Sequence, residues 1–202
     1  IASSIKTDLR KITSKRKSIC GIKFNNPQIM GVLNITPDSF SDGGLFFDES
    51  KAFDQVNLII KSGATIVDVG GESTRPGSKI VNENDEWDRI KNIIIKLKKI
   101  FPKIPLSLDT RKSYVMEKGI ECGVNIINDV SGLNFDKKSF NVINSKNIPF
   151  ILHHMQGTPD TMQKNPKYED ALLDIYDFFE EKINFCTKKN FKKESIVIDP
   201  GI

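Results

Sequence analysis

Three polar residues, Asp109, Asn128 and Asp199, each close a short apolar run of the chain. A carboxylate accepts hydrogen bonds and a carboxamide both accepts and donates. Such a set suits the edge of a flat heteroaromatic ring better than it suits a sugar. Asp68 and Asp129 stand nearby in sequence and are expected to tie down loop backbone or cap helices. Two further segments are rich in glycine and small polar residues. Met30-Gly31-Val32-Leu33-Asn34-Ile35-Thr36-Pro37-Asp38-Ser39-Phe40-Ser41-Asp42-Gly43-Gly44 leaves an apolar run and turns polar. Phe40 has no helical or strand period there to bury it, so this loop can close over a substrate and keep water out. The second segment, Gly70-Gly71-Glu72-Ser73-Thr74-Arg75-Pro76-Gly77-Ser78, holds one of only five arginines in the chain. The planar guanidinium of Arg75 matches phosphate oxygens. This is not a nucleotide-binding Walker loop, because it ends in Gly77-Ser78-Lys79. The plain alternatives are an ordinary surface loop for the first segment and a solvated arginine in the second.

His153 and His154 are the only histidines. Neighbours on a strand face opposite ways, so the pair cannot chelate one zinc, and structural hydrogen bonding is the expectation for both. Glu169, Asp170, Asp174, Asp177, Glu180 and Glu181 are read as the solvated face of one long helix. No GxSxG nucleophile elbow occurs.

Short apolar runs at 29–33, 64–69, 105–108, 124–127, 149–152 and 195–198 alternate with amphipathic runs at 49–62, 84–100, 112–122, 137–145 and 168–189. That alternation predicts βα units and a parallel sheet. Gly63 and Gly123 stand where left-handed C-terminal caps are wanted, and Pro102 follows the second helix as a stop. Trp87, Ile90, Ile94 and Leu97 share one helical stripe, which places Trp87 in the core. A small hairpin at 19–24, turned by Asn25-Asn26-Pro27, is expected before the series. Polar groups follow every strand, whereas a doubly wound sheet needs them only at its switch point. A TIM barrel collects them from all its strands on one face. The fold expected is therefore α/β, a TIM (β/α)8 barrel represented by its first six strands.

Composition narrows the classes. Of 202 residues, 38% are hydrophobic and 28% charged, as in a globular protein. Thirty basic and 26 acidic side chains leave +4, too little to argue for a nucleic-acid partner. No apolar run approaches the roughly 18–20 residues of a membrane helix. Cys20, Cys122 and Cys186 are odd in number, widely spaced and without a CxxC, which suits structural thiols in a reducing compartment. A cytoplasmic location and small-molecule partners are expected. The first 23 residues carry seven basic side chains against one acidic, Asp8. A solvated arm or first helix over 1–18, ahead of a barrel domain over 19–202, is the reading preferred to a transit peptide.

Taken together, blocks 30–44, 68–77, 108–111, 128–132, 154–163 and 198–201 resemble dihydropteroate synthase, a pterin-binding TIM-barrel family of folate biosynthesis. The resemblance runs from about Cys20 to the end. It implies condensation of 6-hydroxymethyl-7,8-dihydropterin diphosphate with p-aminobenzoate, giving 7,8-dihydropteroate and pyrophosphate. By matching motif, Asp109, Asn128 and Asp199 would hold the pterin, with Val130 against its ring and Asp109 near the developing cation. Asn34 would contact Mg2+ and the diphosphate, and Arg75 would bind the diphosphate or the neighbouring loop. Thr74, Pro76, Pro37 and Phe40 would form the p-aminobenzoate pocket, where sulfonamides would compete. The catalytic set implied is Asp109, Asn34 and Arg75, the only protein ligand to the metal Asn34, and the full-length assembly a homodimer.

Two departures stand out. The family's seventh strand ends in Ser-Arg-Lys and its eighth carries Arg-x-His, and neither has a counterpart here. A TIM barrel typically takes about 250 residues, so the chain is expected to lack part of the diphosphate site. His153 also occupies a position that is often apolar in the family. Alternatives are a pterin-dependent methyltransferase of the same fold, which would not need the Thr74-Arg75-Pro76-Gly77 loop, and a non-catalytic pterin-binding protein.

Overall fold

The computed structural model describes residues 2–36, 49–73, 80–157 and 166–201. Six short strands, β1 (Met30–Asn34), β2 (Ile66–Gly70), β3 (Leu106–Asp109), β4 (Ile126–Asp129), β5 (Phe150–His153) and β6 (Ile196–Asp199), pair in sequence order. Every pairing is parallel. Helices α1 (Ala2–Thr13), α2 (Glu49–Lys61), α3 (Glu83–Ile100), α4 (Ser113–Glu121), α5 (Ser139–Lys146) and α6 (Ala171–Lys188) complete the order, with one 3-10 turn at Lys193–Ser195. Sequential parallel strands with intervening helices make the wall of a TIM barrel, six strands of it among the described residues.

Local chemistry explains the boundaries. The Asn82 side chain accepts from the Asp85 amide at 2.9 Å and caps α3. Glu83, Asp85 and Glu86 fill its first turn and Lys98 and Lys99 its last, matching the helix dipole. Asp170 caps α6 by accepting from the Leu172 and Leu173 amides. Gly63 and Gly123 adopt the expected left-handed conformation, φ +100° and +93°.

Strand side chains alternate between two environments. Val67, Val69, Leu106, Leu108, Ile127, Phe150 and Leu152 face outward and join Ile90, Ile94 and Leu97 of α3, Val115 and Met116 of α4, and Phe140 and Ile143 of α5 in the main core. Trp87 packs against that core half-buried. Facing inward, Ile126 and Ile151 form a smaller cluster with Ile19, flanked by Met30, Ile66 and Val197. Ile19 therefore plugs the amino-terminal end of the barrel.

The segment that delivers Ile19 differs from expectation. It is a single antiparallel bridge, Ile19 to Ile22, turned by Cys20 and Gly21 rather than by Asn25-Asn26-Pro27. Cys20 and Gly21 both have positive φ, 51° and 81°. That is the twist a two-residue hairpin turn requires. Truncating the plug by Ile19→Ala should lower stability by about 2 kcal/mol. A urea unfolding midpoint measured at pH 7 checks this, and an unchanged midpoint would detach the bridge from the barrel floor.

Candidate active site

Each strand runs one or two residues beyond its apolar run, so that the polar residue is the last rung of the ladder rather than the first residue of the loop. Asn34 lies opposite Gly70, Gly70 opposite Asp109, and Asp109 opposite Asn128. These four residues form one inward-facing row across β1 to β4. Gly70 keeps the row open. A Cβ placed there would stand 3.2 Å from Asn34 Oδ1, so that the carboxamide would have to give by a few tenths of an ångström, and would sit in van der Waals contact with Asp109 at 3.4 Å. Val130 follows directly, half-buried after β4.

Below the row lies a polar floor. Asp68, opposite Ser107 in the register, accepts from Asn128 Nδ2 at 3.0 Å. Asp68 Oδ1, Asn128 Oδ1 and Ser107 Oγ are buried without a hydrogen-bond partner. Buried acceptors left unpaired are costly, so this floor is shaped for a ligand that brings N–H donors. Asp68 thus faces inward and bonds Asn128, whereas a loop tie was expected of it. Asp129, on the outward face, does tie its loop: it accepts from the Ser131 amide and hydroxyl and from the Leu133 amide.

Carboxyl groups crowd this end of the barrel. Burial pushes Asp109 well above the ordinary carboxylate range, and Asp68, Glu86, Asp129 and Glu72 add like-charge repulsion. Burial also raises Asp68, against the hydrogen bond from Asn128.

The second loop is rooted in a buried ion network that the sequence reading did not single out. Glu72 Oε2 accepts from Arg111 Nε at 3.1 Å and from Lys112 Nζ at 3.0 Å, and Lys112 also pairs with Glu86. Glu72 Oε1 accepts from the Val81 amide at 2.8 Å, joining the two ends of segment 73–80. Arg89 donates to the Gly71 carbonyl. Arg111 lies 4.2 Å over the Phe135 ring. One signal was legible: Glu86 occupies the apolar stripe of α3, four residues before Ile90, where a charge must find a buried partner.

On β5 and β6, His153 and Asp199 are register partners and their side chains meet, Nδ1 to Oδ2, at 3.1 Å. His154 faces the other way, buried against Phe178, Phe179 and Tyr168. Burial lowers its pKa, opposed by a hydrogen bond to the Pro200 carbonyl. The two histidines therefore face apart. Of the acidic residues expected on one helix, Glu169 precedes α6 and Asp170 caps it; Asp177, Glu180 and Glu181 are exposed on it and Asp174 is half-buried.

The structure therefore places Asn34, Asp109 and Asn128 in one row, with Val130 beside it and Asp199 two strands away on the same inward face. Pro37, Phe40, Thr74, Arg75 and Pro76 lie outside the described residues. Among the described residues no cluster of three or more His, Cys, Asp or Glu could hold a metal ion. No helix among them is long and apolar enough to cross a membrane.

Comparison with known proteins agrees with this geometry. The chain is 39% identical over 180 residues to dihydropteroate synthase of Escherichia coli (strain K12), covering 89% of this chain and 63% of that protein. It superimposes on the Yersinia pestis dihydropteroate synthase with a sulfonamide drug complex at TM-score 0.82 and 37% identity, covering 92% of this chain and 67% of that one. The Xanthomonas albilineans dihydropteroate synthase with 4-aminobenzoic acid gives TM-score 0.79 and 32% identity, covering 90% of this chain and 63% of that one. The chain spans less than two thirds of the length of the curated relative. Residues 30–202 match the family described as pterin binding enzyme. With the inward polar row, the donor-seeking floor and the barrel wall all in place, the chain belongs to the pterin binding enzyme family.

Proposed function

We propose that residues 19–202 carry most of the pterin and p-aminobenzoate pocket of a dihydropteroate synthase, with residues 1–18 an arm ahead of it. The observation that carries this reading is the set of unpaired buried oxygens, Asn128 Oδ1 in the row and Asp68 Oδ1 and Ser107 Oγ beneath it. A pterin edge brings the amide and amino hydrogens such acceptors need. Asn128 and Asp199 hold the ring from β4 and β6, and Val130 packs on its face.

In the reaction, the bond between the pterin methylene carbon and the diphosphate oxygen breaks, and the oxygen keeps the electron pair. The aniline nitrogen of p-aminobenzoate forms the new C–N bond and then loses a proton. Positive charge spreads over the pterin as the leaving group departs. Asp109, surrounded by Asp68, Glu86, Asp129 and Glu72, faces that charge in a site already arranged for it. Preorganised charge of this kind is the largest single contribution in many enzymes. Thr74, Arg75, Pro76, Pro37 and Phe40 supply the p-aminobenzoate pocket and part of the diphosphate contact.

Mg2+ is the metal this reading implies, and the donors fit it. Asn34 offers one carboxamide oxygen at the end of β1, next in register to Gly70, and magnesium prefers a few protein oxygens supplemented by substrate phosphates. Bound, the ion would neutralise charge on the departing diphosphate. Asn34 would orient it. A homodimer in the cytoplasm is part of the same proposal.

The test is product stoichiometry. The protein expressed over its full coding length, given both substrates and Mg2+, should release one pyrophosphate for each dihydropteroate formed. No release at saturating substrate would overturn the reading.

A further inference from the structure

We infer that His153 is a positioning residue for Asp199, fixing the carboxylate that β6 offers to the ring of the bound heteroaromatic substrate. The inference rests on the proposed role of Asp199 in holding that ring. Asp199 closes β6. A carboxylate held by nothing rotates about its side-chain bonds, and hydrogen bonds to it lose strength steeply once misaligned.

The chain meets it at two points, and a third bond fixes the backbone behind it. His153 Nδ1 stands 3.1 Å from Oδ2. The Gly201 amide donates to Oδ1 at 2.9 Å. The Asp199 backbone carbonyl accepts from the His154 amide at 2.8 Å. A carboxylate only accepts, so this contact acts as a hydrogen bond when the ring proton sits on Nδ1. Each carboxylate oxygen then keeps a lone pair for a ligand donor, with its direction set.

The imidazole is itself seated. Gly201 has φ +72°, and a Cβ there would lie 3.3 Å from His153 Nε2 and 2.4 Å from the His154 carbonyl. The Asp199-Pro200-Gly201 turn thus closes down on the ring. An aliphatic side chain at 153 fills the same wall but has no donor to offer Asp199. Register, the close Nδ1–Oδ2 contact and the tight turn therefore assign His153 a part in substrate affinity, not in the chemical step.

The experiment compares His153→Leu with His153→Asn, whose Nδ2 can take the place of Nδ1. The Leu variant should raise KM for the pterin diphosphate about tenfold, leaving kcat and KM for p-aminobenzoate within about twofold. The Asn variant should recover most of the loss, and in an Asp199→Ala background His153→Leu should change nothing more. Equal rises in both KM values, no recovery with Asn, or full additivity with Asp199→Ala would overturn the inference. Fluorescence titration with 6-hydroxymethylpterin gives the same comparison without turnover. If the wild-type protein binds that pterin but forms no dihydropteroate, the functional reading fails while the titration still judges His153. If it binds no pterin, both fail.

Discussion

Asp109→Asn should lower turnover on the order of 10²–10³-fold and at the same time raise the thermal midpoint near neutral pH. The two effects have one cause. Asp109 is buried among Asp68, Glu86, Asp129 and Glu72, which together hold its carboxyl well above the ordinary carboxylate range. In the unfolded chain that carboxyl titrates near its usual value. The folded state therefore binds the proton more tightly, and stability that is fully present below the unfolded pKa is lost as pH rises towards the raised value. Asparagine has nearly the same shape and no such titration. The stability gained by the variant should thus be small near pH 4 and grow through the range above it. Turnover falls because the charge that repels its neighbours in the empty site is the charge that faces the pterin cation during reaction. Thermal unfolding at pH 4.5 and 7.5, with pyrophosphate release at pH 7.5, checks both arms. Unchanged kcat would remove Asp109 from the site, and an equal shift in midpoint at the two pH values would reject the like-charge account.

That pairing of roles explains how much of the site could be read before the fold was known. Hydrophobic alternation was enough to order six strands, because each outward face must be apolar to meet a helix. It stopped one residue short at Gly70, Asp109, His153 and Asp199, since these are strand by backbone pairing but polar by function. The turn at the barrel floor was misplaced for a similar reason. Asn25-Asn26-Pro27 is a strong local turn signal, yet burial of Ile19 beneath Ile126 and Ile151 selects the Cys20–Gly21 turn that brings it there. Asp68 shows the other limit. Its period-two relation to Gly70 already placed it on the inward face, but its partner Asn128 is sixty residues away. No local pattern could join them. The same holds for Glu72, whose contacts with Arg111 and Lys112 span 39 and 40 residues.

The buried network yields the largest expected loss of stability. Lys112→Met should destabilise the fold by about 3–5 kcal/mol, with a fall in thermal midpoint on the order of 10 °C for a domain of this size. Lys112 is nearly buried and is the ammonium shared by Glu72 and Glu86, whose side chains are also almost fully enclosed. Removing it leaves Glu86 in an apolar stripe with no cation. Glu72 would retain Arg111. The pH dependence follows from the two carboxyls. Glu72 is held below its ordinary value chiefly by the Val81 amide and by the Lys112 and Arg111 cations, against its own burial. It therefore contributes stability present above the unfolded pKa and lost as pH falls through the lowered one. Glu86 is raised by burial, against the pull of Lys112. Without Lys112 it would rise further, so the variant's penalty should increase with pH above the carboxylate range. The gap between wild type and Lys112→Met should accordingly be widest near neutrality and narrow on acidification. Adding Glu86→Gln removes the stranded charge while keeping its shape, and should return much of the loss. Additive losses in the double variant would mean that the two side chains act separately, and that the root of the second loop is held by Glu72, Arg111 and the Val81 amide alone.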